Sequence, residues 1–231
     1  MTYSTNDLLR ILSTNVWFGT LPLTERKAML AACERVHLKA GEMLYRKGDT
    51  QGAFFGVLQG ILKVSTVGED GREGILSVME QGNWFGETTL LDRLPRPHDV
   101  TAVQDCELLA INAAAFERLM QRTAFARAIG ALLCLRVRAL YGLVEDAMLR
   151  STRARVARRL LSLARGDATM AVQARASLVV SQEALAMMLG ITRQTLSREL
   201  KVLVRAGVLT LGYGRIDILS LRELELRGAV G

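Results

Sequence analysis

The stretch Leu189–Leu200, LGITRQTLSREL, decides how this chain is read. Gly190 suits a left-handed turn that ends a short helix, which Ser181 can cap and whose apolar face is Leu185, Met188 and Leu189. Thr192 can cap a second helix, predicted from Arg193 to about Arg205. On it Leu196, Leu200 and Leu203 share one face, while Arg193, Gln194, Ser197, Arg198 and Lys201 fall on another. Two short helices joined by a glycine turn, the second with a polar and basic face, form a helix-turn-helix. The second helix suits the major groove of double-stranded DNA: arginine can donate twice to guanine, glutamine can pair with adenine, and serine or lysine can hold phosphates. The opposing reading is an ordinary solvated helix face. The next segment of the chain favours the groove: GVLTLGYGRIDILS (207–220) reads as a β-hairpin with Gly212 and Gly214 in its turn. That hairpin is expected to be the wing of a winged helix, with Arg215 near the phosphate backbone.

Charge is divided along the chain in the same sense. Residues 1–149 hold 16 Lys and Arg against 17 Asp and Glu, whereas residues 150–231 hold 14 against 6, so a near-neutral part carries a tail of +8. Such a division suggests a polyanion-binding module joined to something else.

Working outward, residues from about Leu38 to Ile111 read as short strands cut by glycine turns, with QG (59–60) and EDG (69–71) as hairpin turns. Many short strands at near-regular spacing imply a compact β-barrel or roll. GEDGREG (68–74) lacks the Lys-Ser/Thr of a phosphate loop and opens no helix, so a surface hairpin is expected. From about Ala113 to Met148 the period becomes helical, and Leu133, Val137, Leu140, Val144 and Ala147 alternate four- and three-residue steps. That seam can pack on its own domain or pair with a second copy. Pairing is expected, because the stripe would otherwise be exposed. Ser151 can cap a fresh helix, placing a boundary near 148–151. The expected division is therefore 1–112 for the β-roll, 113–149 for the long helix and 150–231 for the winged helix-turn-helix. The fold class is α+β.

Composition narrows the function classes. Three distant cysteines, Cys33, Cys106 and Cys134, do not make a disulfide framework or a cysteine-ligated cluster, and each is expected as a small core residue. His37 and His98 are too few for a haem or metal site, and no metal is expected. The N-terminus has no leader pattern, and the most apolar long window, Ile129–Val144, is short and carries Arg136 and Arg138. A soluble protein of the cytoplasm, with no membrane partner, is expected. An enzyme built on the β-roll is the rival from another class, but no nucleophile–base pair or phosphate loop stands out.

In its order of elements the chain resembles the Crp/Fnr family of bacterial transcription regulators, whose type member is the cyclic AMP receptor protein. Two motifs carry the resemblance: GITRQTLSRELKVL (190–203), similar to the family's recognition helix, and GNWFGETTLLDRLPRPHDVTA (82–102), similar to its phosphate-binding cassette. The resemblance implies a cyclic-nucleotide-binding-type β-roll (a double-stranded β-helix), a dimerisation helix and a DNA-binding domain. It further implies a homodimer reading near-palindromic operators, with RNA polymerase as a partner. The implied DNA-contacting set is Ser181, Thr192, Arg193, Gln194, Ser197, Arg198, Lys201 and Arg215. Many members carry glutamate where Gln194 stands, so the half-site is expected to differ.

The implied effector site comprises Gly86, Glu87, Arg96, Pro97, Arg136, Leu140 and Tyr141, with Glu87 and Arg96 pairing when no ligand is present. Pro97 stands where the family has a serine or threonine that donates to phosphate through hydroxyl and backbone N–H, and it supplies neither. Losing a charge-assisted donor costs roughly 1.5–3 kcal/mol. Leu140 and Tyr141 stand where cyclic-AMP binders place two hydroxyl residues. No cofactor is therefore assigned, and Pro97 weakens the case for a cyclic nucleotide. The implied dimer interface is Leu133, Val137, Leu140 and Val144. A constitutive DNA binder, using a ligand-free β-roll for dimerisation or partner contacts, is the standing alternative.

Overall fold

The computed structural model describes residues 3–166 and 175–229. Three helices precede the first strand: α1 (Thr5–Leu12), α2 (Val16–Thr20) and α3 (Leu23–Ala31). They lie outside the elements expected from sequence, although a local signal exists: Ser4 and Asp7 form a reciprocal capping box, and Asn15 accepts from the Phe18 N–H.

The next elements are the strands β1 (Glu34–Leu38), β2 (Met43–Tyr45), β3 (Ala53–Gln59), β4 (Ile61–Val67), β5 (Glu73–Glu80), β6 (Trp84–Phe85), β7 (Asp99–Ala102) and β8 (Cys106–Asn112). They form two four-stranded sheets, ordered β1-β8-β3-β6 and β2-β7-β4-β5. Val57, Leu62, Val64, Phe85, Val100 and Leu108 fill the roll between them. On β3 the next residues in alternation, Phe54 and Leu58, join a second cluster with Trp17, Phe18, Trp84, Phe116 and Phe125. This strand is therefore buried on both faces, which explains why AFFGVLQ shows no polar alternation. The segment 68–72 closes the β4–β5 connection as a turn, with Gly68 N–H donating to Arg72 O at 2.9 Å. Between β6 and β7 the cassette adds a short helix, α4 (Glu87–Asp92).

The helical stretch expected from 113 divides in two. Residues of α5 (Ala113–Met120) bury Phe116 and Leu119 against the roll, and α6 (Thr123–Leu149) starts afresh after the cap at Gln121. The apolar period slips here, from Phe116 and Leu119 to Phe125, Ile129 and Leu132 across the polar Gln121, Arg122 and Thr123, a break that the single-helix reading passes over. Only Phe125, Ile129 and Leu132 of α6 are buried. Leu133, expected in the seam between copies, packs partly on its own chain's core. Val137, Leu140 and Val144 are 46, 59 and 55 % exposed, and Ala147 is exposed too. Of the cysteines, Cys106 is buried as expected and Cys33 is half-buried against the core, with burial pushing its thiol to about 12, but Cys134 departs from expectation and is exposed on α6.

The described residues divide into two units, the first comprising 3–66 and 76–136, the second 67–75, 137–166 and 175–229. The second unit contains α7 (Thr152–Ala164), β9 (Ser177–Val179), α8 (Gln182–Leu189), α9 (Arg193–Arg205), β10 (Leu209–Gly212), β11 (Arg215–Ile218) and α10 (Leu221–Ala229). Ser151 caps α7, as expected from sequence. The hairpin β10–β11 gains β9 as a third antiparallel strand. Val156, Leu160, Leu185, Leu196, Leu200, Leu203 and Leu224 share one core.

Candidate nucleic-acid interface and effector pocket

Local chemistry sets the helix-turn-helix. Ser181 Oγ accepts from the Ala184 N–H at 3.0 Å and Thr192 Oγ1 from the Thr195 N–H at 3.1 Å, so both hydroxyls cap their helices. Gly190 joins α8 to α9 at φ 63°, a left-handed conformation. Leu196, Leu200 and Leu203 are each 0 % exposed, and burying each contributes roughly 1.5–3 kcal/mol. That anchoring turns Arg193, Gln194, Arg198 and Lys201 outward. With Ser197 and Gln182 they line an open depression of about 600 Å³. Gln182 lies outside the set expected from sequence; its only local signal is its place directly after the Ser181 cap. None of Arg193, Arg198 and Lys201 forms an ion pair with a described residue.

The arginines of α7 differ. Arg153 Nε pairs with Glu199 at 2.8 Å, Arg155 Nη2 donates to Leu189 O at 2.7 Å, Arg158 Nε pairs with Asp146 at 2.7 Å, and Arg159 is 5 % exposed. These arginines are thus engaged by other groups of the chain, whereas among the described residues Arg193, Arg198 and Lys201 of α9 have no ion pair. On the wing Arg215 is more than half exposed and pairs with Asp217 at 3.0 Å, beside the wholly exposed Tyr213.

In the roll, Gly86 turns at φ 98°, and a Cβ there would lie 2.6 Å from Ala53 O. Arg96 is buried, donating from Nη1 to Gly86 O at 3.0 Å and from Nη2 to Ala53 O at 3.1 Å. Its guanidinium carbon lies 4.1 Å from the Tyr45 ring centre. Burial lowers the Arg96 pKa and pushes the Tyr45 phenol to about 12. The expected Glu87–Arg96 pair is not formed. Glu87, wholly buried, pairs instead with Arg136 of α6, because Arg96 is taken up by the two carbonyls. Arg136 Nη2 also donates to Trp84 O at 2.7 Å. Arg96 Nε, Glu87 Oε2 and Thr89 Oγ1 are buried without a protein partner.

The structure therefore brings Gly86, Glu87, Arg96 and Arg136 together and adds Tyr45. Pro97 is exposed, and Leu140 and Tyr141 are 59 and 71 % exposed. His98 is half-buried, and its pKa is lowered by burial, then by Arg136 and Arg96, against weaker raising by Asp99 and Glu87. Among the described residues no helix is long and apolar enough to cross a membrane.

Comparison with known proteins finds two family matches in the chain. A profile of the cyclic nucleotide-binding domain matches residues 35–123, and one of the Crp-like helix-turn-helix domain matches residues 154–227. The chain is 31 % identical over 186 residues to the cyclic AMP receptor protein of Thermus thermophilus, covering 80 % of this chain and 83 % of that protein. It is 26 % identical over 185 residues to the cAMP-activated global transcriptional regulator Vfr of Pseudomonas aeruginosa, covering 78 % and 86 %. Among solved structures, the catabolite activator protein of Thermus thermophilus matches at 28 % identity and TM-score 0.53, over 92 % of this chain and 98 % of that one. FixK2 from Bradyrhizobium japonicum matches at 20 % identity and TM-score 0.76, over 86 % and 98 %, which speaks for the fold alone. With an α+β roll, a long helix and a winged helix-turn-helix in this order, the chain belongs to the Crp/Fnr family of DNA-binding transcription regulators.

Proposed function

We propose that the protein acts in the cytoplasm as a homodimer on a near-palindromic operator, laying α9 of each copy into the major groove of one half-site. The single observation that carries this is the outward face of α9, where Arg193, Gln194, Arg198 and Lys201 are exposed and free of ion pairs with described residues. Arg193, Gln194 and Arg198 read base edges, while Ser197 and Lys201 hold phosphates. Ser181 and Thr192 contribute by capping, and Arg215 approaches the backbone from the wing. The copies pair through Val137, Leu140 and Val144, with Leu133 shared with the chain's own core. RNA polymerase is the proposed protein partner. Enrichment of binding sites from random duplex DNA tests the reading. A two-fold symmetric consensus is the expected product, and recovery of no preferred sequence would sink it.

The roll supports regulation by a small polar molecule. Glu87 Oε2, Thr89 Oγ1 and Arg96 Nε are buried without a protein partner, and a ligand that reached them would satisfy them. Arg96, Arg136 and Glu87 would hold it; Pro97 gives no donor, so a cyclic phosphate would be held less firmly than the family motif implies. A second reading, a constitutive binder with a ligand-free roll, is favoured by the two Arg96 bonds to Gly86 and Ala53. Titration with cyclic nucleotides, monitored by Trp84 fluorescence, separates them: a saturable change supports the effector, and none supports the constitutive protein.

A further inference from the structure

Asp146 stands within the last turn of α6, which ends at Leu149. A carboxylate is misplaced there, because the carboxyl end of a helix carries partial negative charge. Two arginines offset it. Arg150 Nε donates to Asp146 Oδ1 at 3.0 Å and Arg158 Nε, from α7, to Oδ2 at 2.7 Å. The Asp146 side chain is only 14 % exposed. Arg150 Nη1 reaches on to the carbonyls of Gly228 at 3.3 Å and Ala229 at 3.2 Å, the last residues of α10. Gly228 in turn lies so close to α7 that a Cβ would meet Arg158 Cγ at 2.8 Å. The carboxylate of α6 is thus tied directly to α7 through Arg158, and to the end of α10 only by way of Arg150.

The covalent link between α6 and α7 is short, Arg150 and Ser151, and it contains no proline to stiffen it. A two-residue joint leaves several backbone torsions free. A carboxylate on α6, bonded through one oxygen to the joint's own Arg150 and through the other to Arg158 of α7, restricts that freedom. We propose that Asp146 is a positioning residue: it fixes the angle at which the DNA-binding domain leaves the dimer helix, and so sets the half-site spacing the dimer accepts. The inference rests on the proposed dimeric function. In a dimer joined through α6, a rotation at the joint moves α9 away from the two-fold axis, while every contact within a half-site is preserved.

The test is binding-site selection with spacers of varied length between half-sites, using the parent, Asp146→Ala, Asp146→Glu and Arg158→Ala, each first checked for folding and mass. The parent is expected to bind one spacer at least about tenfold more tightly than its neighbours one base pair longer or shorter. Asp146→Ala and Arg158→Ala should accept those neighbours within about threefold while keeping the parent's base preference inside each half-site. Asp146→Glu should recover part of the discrimination. Folded, dimeric Asp146→Ala and Arg158→Ala with the parent's spacer discrimination would overturn the inference. If Asp146→Ala fails to fold, Arg158→Ala decides alone. A parent that shows no spacer preference overturns the dimeric reading and this inference with it, and is recognised because the failure appears before any substitution.

Discussion

Glu87, wholly buried in the roll, draws its counter-charge from Arg136 on the long helix, 49 residues away, and not from Arg96 in its own cassette. Arg96 is committed to the carbonyls of Gly86 and Ala53 and to the face of Tyr45. Removing Arg136 would leave a buried carboxylate without its cation, and a fully enclosed pair broken on one side costs roughly 3–5 kcal/mol. Arg136 keeps 25 % of its side-chain surface exposed, so water moderates the loss. Arg136→Ala is expected to destabilise the chain by about 2–3 kcal/mol in denaturant unfolding, and adding Glu87→Gln should restore part of it.

His98 gives the pH dependence. Burial and the nearby Arg136 and Arg96 lower its pKa below the ordinary 6.5, so the unfolded chain takes up the proton first as pH falls. Its contribution to stability is complete above about pH 6.5 and declines from there down to the folded-state pKa. Asp7, Glu25 and Asp105, all lowered by their hydrogen-bond partners, add losses only below roughly pH 5. Unfolding midpoints between pH 7.5 and 5.5 should therefore fall in the parent and fall less in His98→Gln. Equal slopes would show that another group governs this range.

On α9, base reading and phosphate holding separate by salt. Arg198→Ala should lower specific affinity by about 1–3 kcal/mol and relax preference at one base position. Lys201→Ala should weaken specific and random DNA alike and reduce the slope of log affinity against log salt by about 0.9. Anisotropy titrations at several salt concentrations measure both. An Arg198→Ala protein that still distinguishes operator from random DNA as the parent does would refute the base-reading role.

The exposed stripe of α6 makes the dimer testable. Leu140 is 59 % exposed in the single chain, so a charge there costs little within one copy and much between two. Leu140→Glu should sediment as a folded monomer, with parent-like circular dichroism. An unchanged dimeric mass would place the contact elsewhere.

The helix-turn-helix is legible because its signals are local. Gly190, the Thr192 cap and the leucine spacing act within one or two turns, and backbone sterics and hydrogen bonding translate them directly into helix ends and a buried face. The wing's turn and the cap at Ser151 are legible on the same grounds. Ser4 and Asp7 carry an equally local signal for α1, and it is readable in hindsight. Other features have a weak local signature or none. The end of α5 at Met120 shows in the sequence only as a slip of the apolar period across Gln121, Arg122 and Thr123, a weak signal beside the long helical run that follows. The exposed place of Cys134 depends on which flank of α6 the core takes up.

From sequence alone, one can say which side chains of α9 share a face and that basic residues crowd the last third of the chain, because helical periodicity and charge are properties of neighbours along the chain. Tertiary structure alone decided which of those cations stay uncommitted. Arg153, Arg155 and Arg158 are indistinguishable from Arg193 and Arg198 by composition, yet each is held by a group outside its own helix: Glu199, Leu189 and Asp146. Electrostatic and hydrogen-bonding partners are chosen by distance in space, and that distance exists only once the helices have packed.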